Sequence, residues 1–307
     1  MREKVQLRAF ARAVDSFERN QFSACCHDLY LSLTCARHRR KEVSLLENGL
    51  FGARARIRVV SGEINTAAAN LARVRNRIER AASRAGRRAE DITLIGVSKL
   101  HPAERVRELY QAGVRHFGEN RVQEWESKRV SLADLDATWH FIGHLQSNKA
   151  PRALQVFHTI DSVDSVALAE RLERAKKEFN TARKAEGKGV RVPVLLEVRL
   201  DPAAAKSGVN EVELSRLVET VLRLPHLELR GLMGVPPYFE DAQKVRPLFR
   251  RLRELCDAQR LQFGGEILPV LSMGMSHDFE VAIEEGATEI RIGTALFGAR
   301  KTGTDSA

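Results

Sequence analysis

From residue 92 onward the chain alternates short apolar runs with helical patterns, eight times over. The runs are 92–98, 115–118, 138–143, 157–161, 193–200, 227–234, 267–273 and 289–293. Between them, 102–112, 121–131, 148–155, 164–180, 211–223, 241–260 and 277–285 carry apolar residues three or four apart, the period of an amphipathic helix. Strands that are apolar throughout belong to parallel sheets covered on both faces. Eight of them, alternating with helices, predict a single α/β (β/α)8 TIM-type barrel, a fold that takes roughly 250 residues. The competing fold is a doubly wound open sheet, but no run is followed by G-x-G-x-x-G, its dinucleotide fingerprint. Ahead of the first run, Ile64, Ala67, Leu71, Val74, Ile78 and Ala81 predict one more helix, closed near Gly86.

Residues 1–62 do not share this pattern. They hold 12 Lys/Arg against 6 Asp/Glu, so they carry +6 of the net +10 and leave +4 for the other 245 residues. The basic cluster 37–41 and three of the four cysteines, Cys25, Cys26 and Cys35, also fall there. We expect a poorly structured basic extension, or a start assigned too far upstream, over 1–62, and one binding domain over 63–307. The body is close to neutral, so no nucleic-acid footprint is expected on it. No run is long enough to span a membrane, and charge scattered through the first twenty residues argues against a signal peptide. Cys256 completes the set, and no two cysteines have metal-ligand spacing. A reduced, cytoplasmic protein is the expectation, with no metal and no membrane partner, and a monomer.

In a barrel of this kind the loops after the strands form the active face. The first run, Thr93–Val97, leads through Ser98 into Lys99. An ammonium is costly to bury unless it is paired or loses its proton, and a desolvated lysine is a nucleophile toward carbonyls. The seventh run leads into Gly274-Met275-Ser276 and the eighth into Gly293-Thr294. Small residues ahead of helix starts leave amide donors free for an anion, and the loops after strands seven and eight are a recurrent phosphate site in these barrels. Arg291, on the last strand, is placed either to neutralise that phosphate or to meet a ring nitrogen; its plain alternative is a side chain whose head reaches solvent. A lysine and a phosphate site on one face leave two classes open, an aldolase and a protein holding pyridoxal phosphate as a Schiff base.

Several motifs then appear in order: Val97-Ser98-Lys99, Phe117-Gly118-Glu119-Asn120-Arg121-Val122-Gln123-Glu124, Trp139 to Lys149 (WHFIGHLQSNK), Gly231-Leu232-Met233, Leu271 to Ser276 (LSMGMS) and Arg291-Ile292-Gly293-Thr294. Over residues 63 to 300 the chain resembles the pyridoxal phosphate homeostasis proteins, whose barrel is similar to the N-terminal domain of alanine racemase. The resemblance implies pyridoxal 5′-phosphate as cofactor and a role in intracellular vitamin B6 homeostasis, with apoenzymes that receive the cofactor as partners. It implies Lys99 as the Schiff-base lysine, Ser276, Gly293 and Thr294 on the phosphate with Arg291 close by, Asn120 and His144 along the cofactor face, and Met233 near the ring. Lys206 matches a second lysine associated with cofactor handling. One departure stands in the fifth loop, where Arg199 replaces the usual asparagine and Ala204 or a neighbour replaces an acid.

The alternative to a carrier is a pyridoxal phosphate-dependent, racemase-like enzyme. Racemisation needs an acid/base group on each face of the α-carbon. Alanine racemase takes the second from a tyrosine of an added domain, for which the residues after Gly298 leave no room. Of Tyr30, Tyr110 and Tyr238, only Tyr238 follows a strand. The expectation is therefore a protein that holds the cofactor without catalytic turnover. A third reading, an interaction protein regulated by its cofactor, stays open.

Overall fold

A computed structural model describes residues 66–182, 191–201 and 207–298, all within the unit Gly62–Ala307. The extension over 1–62, Lys206 and Ala204 lie outside the described residues. Eight parallel strands close into one barrel in chain order. They are β1 (Thr93–Val97), β2 (His116–Glu119), β3 (Thr138–Phe141), β4 (Thr159–Val163), β5 (Val192–Val198), β6 (Leu227–Gly234), β7 (Val270–Ser272) and β8 (Glu289–Ile292). The helices are α1 (Ala67–Arg84), α2 (Ala103–Gln111), α3 (Val122–Arg129), α4 (Ala150–Val156), α5 (Val166–Ala182), α6 (Glu211–Leu222), α7 (Arg246–Phe263), α8 (Phe279–Glu284) and α9 (Thr294–Phe297). None of them is long and apolar enough to cross a membrane.

Local chemistry sets the element ends. The Thr66 hydroxyl accepts the Ala69 amide and starts α1, and Asn210 caps α6 by accepting the Glu213 amide at 2.9 Å. Gly86, at φ +64°, follows α1 in the left-handed conformation expected just past a helix end.

Side chains alternate across each strand. One set points outward and packs with the helices: Phe117, Phe141, Ile160, Leu196, Leu232, Leu271 and Ile290 meet Leu71, Leu109, Trp125, Leu172, Leu217, Phe249 and Phe279 in one continuous core. Within it Trp125 stacks on Trp139 at 3.8 Å and donates its indole N–H to the Val156 carbonyl. At about 25 cal/mol per Å² of apolar area, each of these large side chains stabilises the fold by roughly 1.5–3 kcal/mol.

The other set fills the barrel lumen, and its chemistry departs from the usual filling of Val, Ile and Leu. Register places Ile95 beside His116 and Arg291, Gly118 beside His140, Glu197 beside Met233, Met233 beside Ser272, and Ser272 beside Glu289. Ionisable groups buried in a barrel core are costly unless they are paired. That cost draws attention to the lumen and to the face above it.

Candidate functional site

Lys99 sits in a turn directly after β1, half-buried, at the carboxyl end of the barrel. The turn is held by a buried ion pair that sequence reasoning did not single out. The Lys128 ammonium, from α3, donates to the Ser98 carbonyl at 2.9 Å and to the His101 carbonyl at 3.0 Å, one residue before Lys99 and two after it. It also lies 2.7 Å from Glu119 at the end of β2. Glu119 in turn accepts the Ser98 hydroxyl at 2.6 Å, and Glu124 accepts the Leu100 amide. Leu100 adopts φ +63°, a conformation costly for a residue with a β-carbon, and these bonds hold it there. Burial raises the Glu119 pKa against the opposing charge of Lys128, so the carboxylate depends on that lysine to stay ionised.

The seventh and eighth loops come together as the sequence predicted. Gly274 turns at φ +95°, where an added β-carbon would lie 2.6 Å from that of Ala282, and its carbonyl accepts the Arg291 amide. The turn delivers Ser276 to the start of α9. There the amides of Gly293 and Ala295 converge on its Oγ at 3.2 and 3.3 Å. Thr294, between them, is exposed. Gly293 also stands next to the end of β1, since a β-carbon on it would meet Val97 at 3.7 Å. The pair of amides is therefore two residues of chain away from the Lys99 turn.

Arg291 points into the lumen. It is 4 % exposed, so the reading of a head that reaches solvent is overturned: the closed barrel leaves an inward side chain on β8 no way out. Its guanidinium donates to the Ser272 hydroxyl at 2.6 Å and to the Gly234 carbonyl at 2.8 Å. Burial works to lower its pKa, opposed by Glu289, Asp161, Glu197 and Asp278; an arginine stays charged in any case. Met233 is buried on the same inward face.

Asn120 and Gly143 meet backbone to backbone, because a β-carbon on Gly143 would lie 2.3 Å from the Asn120 carbonyl oxygen. The Asn120 Oδ1 is buried without a hydrogen-bond partner. His144 is mostly exposed, 3.4 Å from Asp164, and shares with Asn120, Arg121 and Lys149 a cleft of about 390 Å³. In the fifth loop Arg199 donates to the Gly208 carbonyl while its Nε is buried without a partner. Glu197, two residues earlier on β5, has its pKa raised by burial and accepts the Ser207 hydroxyl.

Residues 69–301 match the family model for the alanine racemase N-terminal domain. A pyridoxal phosphate homeostasis protein from Aquifex aeolicus is 46% identical over 231 residues, covering 75% of this chain and 97% of that protein. The chain belongs to the pyridoxal phosphate homeostasis protein family. The structure of its family relative PipY from Synechococcus elongatus, described as having PLP bound, has a TM-score of 0.62 at 42% identity and covers 72% of this chain and all of that one. Clostridium difficile alanine racemase shares the fold alone, with a TM-score of 0.58 at 15% identity over 78% of this chain and 61% of that one.

The local chemistry of this family member fits pyridoxal phosphate. An oxygen atom already occupies the point where two amides converge, an orphaned acceptor lies at Asn120, and a buried guanidinium underlies the face. The lysine's backbone is fixed on both sides. The residues that sequence reasoning missed were Lys128, Glu124 and the lumen groups below Arg291. The alternation Glu289-Ile290-Arg291-Ile292, with charge on one face of a barrel strand, was the available signal for the last of these.

Proposed function

We propose that this chain binds pyridoxal 5′-phosphate on the carboxyl-end face and serves as an intracellular cofactor-holding protein in vitamin B6 homeostasis. When bound, the cofactor supplies an aldehyde that condenses reversibly with an amine, here as a Schiff base on Lys99. The observation that carries this reading is the Lys128 clamp, which spends a buried ion pair on fixing the turn that presents Lys99. Ser276 and the amides of Gly293 and Ala295 hold the phosphate, with the Thr294 hydroxyl as a further donor. Arg291 and Met233 would border the cofactor from the lumen side. Asn120 and His144 border the site, and Lys206 handles the cofactor as it enters or leaves. Residues 63–307 make up the binding domain, and 1–62 are an extension that it does not need. The protein works in the cytoplasm and passes cofactor to apoenzymes.

A racemase-like activity needs a second base opposite Lys99. Tyr238 is 75% exposed and stands against His277 at 5.1 Å. Tyr110 lies on α2 beneath the Arg115 guanidinium. Neither tyrosine is a positioned base, which favours holding over turnover. Incubation of the cofactor-loaded protein with L- and D-alanine in deuterium oxide tests the point. The account expects no α-deuterium in either enantiomer; steady incorporation with interconversion would make the protein an enzyme.

A further inference from the structure

Below Arg291 the lumen holds a hydrogen-bonded line of ionisable groups that the proposed function does not use. His140 is 5 % exposed. One of its ring nitrogens, Nδ1, lies 2.8 Å from Asp161 Oδ2, and the other, Nε2, lies 3.0 Å from His116 Nδ1. Asp161 also accepts the Thr159 hydroxyl. Ligand atoms of His140, Asp161 and Glu289 lie within 4.8 Å of one another, and the Glu289 Oε1 is buried without a hydrogen-bond partner. Glu289 and Arg291 share one face of β8, with Ser272 beside both.

We propose that His140, held between Asp161 and Glu289, stores one proton in the barrel lumen, and that this proton keeps Arg291 turned toward the ligand-binding face. His140 Nδ1–H donates to Asp161. The 3.0 Å contact between Nε2 and His116 Nδ1 accommodates a donor on either ring, and the surrounding carboxylates put the second proton on His140 Nε2, with His116 as the neutral acceptor. Charge balance agrees: with Asp161 and Glu289 ionised, Arg291 and a protonated His140 offset them. Burial opposes the imidazolium, but the charge and hydrogen bond of Asp161, aided by Glu289, outweigh it and leave the His140 pKa raised. Burial and the neighbouring His140 lower that of His116, and the same two causes lower that of His158. Burial and the Asp161 charge raise the Glu289 pKa, opposed by His140, Ser272 and Arg291; the remaining charged groups around the line are Glu197 and Asp278, both with pKa raised by burial.

If the proton leaves, two carboxylates compete for the one guanidinium. Arg291 is then drawn down toward Glu289, its neighbour on the same face, and away from Ser272 and the Gly234 carbonyl. His140, Asp161 and Glu289 are thus positioning residues for Arg291. This role rests on the reading of Arg291 as a ligand-facing group; the stored proton does not.

The trio has the donor types of a metal site, so the test separates a proton from a metal ion. Ligand-free protein labelled with ¹⁵N-histidine is titrated by NMR, with and without zinc chloride. The account expects one histidine with both ring nitrogens protonated near neutral pH, titrating above the ordinary value of about 6.5, and unmoved by zinc. Neutral histidines throughout, or zinc-dependent shifts at His140, would overturn the proton. Binding of pyridoxine 5′-phosphate, which has no aldehyde to react with Lys99, is then measured by calorimetry across the same range. Affinity should fall roughly tenfold as His140 loses its proton, about one pKa unit's worth of coupling. Glu289→Gln should flatten that dependence, and Glu289→Asp should preserve it. Affinity that stays flat through the His140 titration would overturn the positioning role. Absence of binding at every pH, with the imidazolium present, would sink the ligand reading and the positioning role with it, while the proton stands.

Discussion

Replacing Lys128 with methionine keeps most of the volume and removes the charge that ties α3 to β2 and to the Lys99 turn. The Lys128 side chain is 8% exposed and that of Glu119 is 0% exposed, so solvent does little to screen the pair. Removing one partner of a buried pair costs about 3–5 kcal/mol, because the other charge is left uncompensated. For a domain of this size each kcal/mol moves Tm by about 2–4 °C, so Lys128→Met should lower Tm by roughly 6–20 °C at pH near 8. The sign of the pH dependence follows from Glu119. Its pKa is raised by burial even with Lys128 present, and higher still without it. An acid whose folded pKa lies above its unfolded value of about 4.3 contributes its full stability below that value. The contribution is lost as pH rises through the folded pKa. The deficit should therefore be small near pH 5 and large near pH 8. Adding Glu119→Gln removes the stranded charge and should restore part of the loss, leaving a coupling of about 0.5–3 kcal/mol in the double-mutant cycle. Differential scanning calorimetry of the ligand-free proteins at the two pH values measures all of this. A Tm within about 2 °C of the parent at pH 8, or a deficit that grows on the acid side, would refute the buried clamp.

Two further predictions concern the same face and a third the extension. Ser276→Ala and Thr294→Ala should each weaken pyridoxal phosphate binding by about 1.5–3 kcal/mol, the worth of one hydrogen bond to a charged group, measured by equilibrium dialysis; Tm should stay unchanged in Thr294→Ala and fall slightly in Ser276→Ala, which also loses the acceptor of the Gly293 and Ala295 amides. Gly143→Ala places a β-carbon 2.3 Å from the Asn120 carbonyl oxygen and should cost roughly 1–3 kcal/mol by overpacking, read as a lower urea midpoint. A protein beginning at Gly62 should fold, melt within a few degrees of the full chain and bind the cofactor with the same spectrum; precipitation or loss of the cofactor would make 1–62 part of the working structure.

The barrel was legible because buried parallel strands are apolar runs and their crossover helices carry a 3.6-residue period. The strand ends were less legible, for identifiable reasons. The run 267–273 shrinks to β7 at 270–272 because Pro269 has no amide for the ladder and Leu268 takes φ +59°. The run 157–161 shifts to 159–163 because Phe157 follows α4 and packs outward against Phe141 and Trp125. The pattern 241–260 divides into a short 3-10 turn and α7, with Pro247 in the first helical turn. At the site, the Gly274–Ser276 and Gly293–Thr294 turns could be read because two turns of small residues and hydroxyls follow adjacent strands, where one alone would pass for an ordinary helix cap. Lys128 could not: α3 is polar along most of its length, and a lysine there has the pattern of a solvated face until Glu119 is placed opposite it. His140 and Asp161 were hidden similarly, as single polar residues within strands whose neighbours are apolar.

The most direct test of the central claim is covalent. The protein loaded with pyridoxal 5′-phosphate is reduced with borohydride, digested and mapped by mass spectrometry, beside Lys99→Ala and Lys206→Ala. The account predicts a pyridoxyl group on Lys99, loss of the visible-edge absorption band in Lys99→Ala, and a band retained in Lys206→Ala. A label confined to Lys206, or an undiminished band in Lys99→Ala, would contradict it.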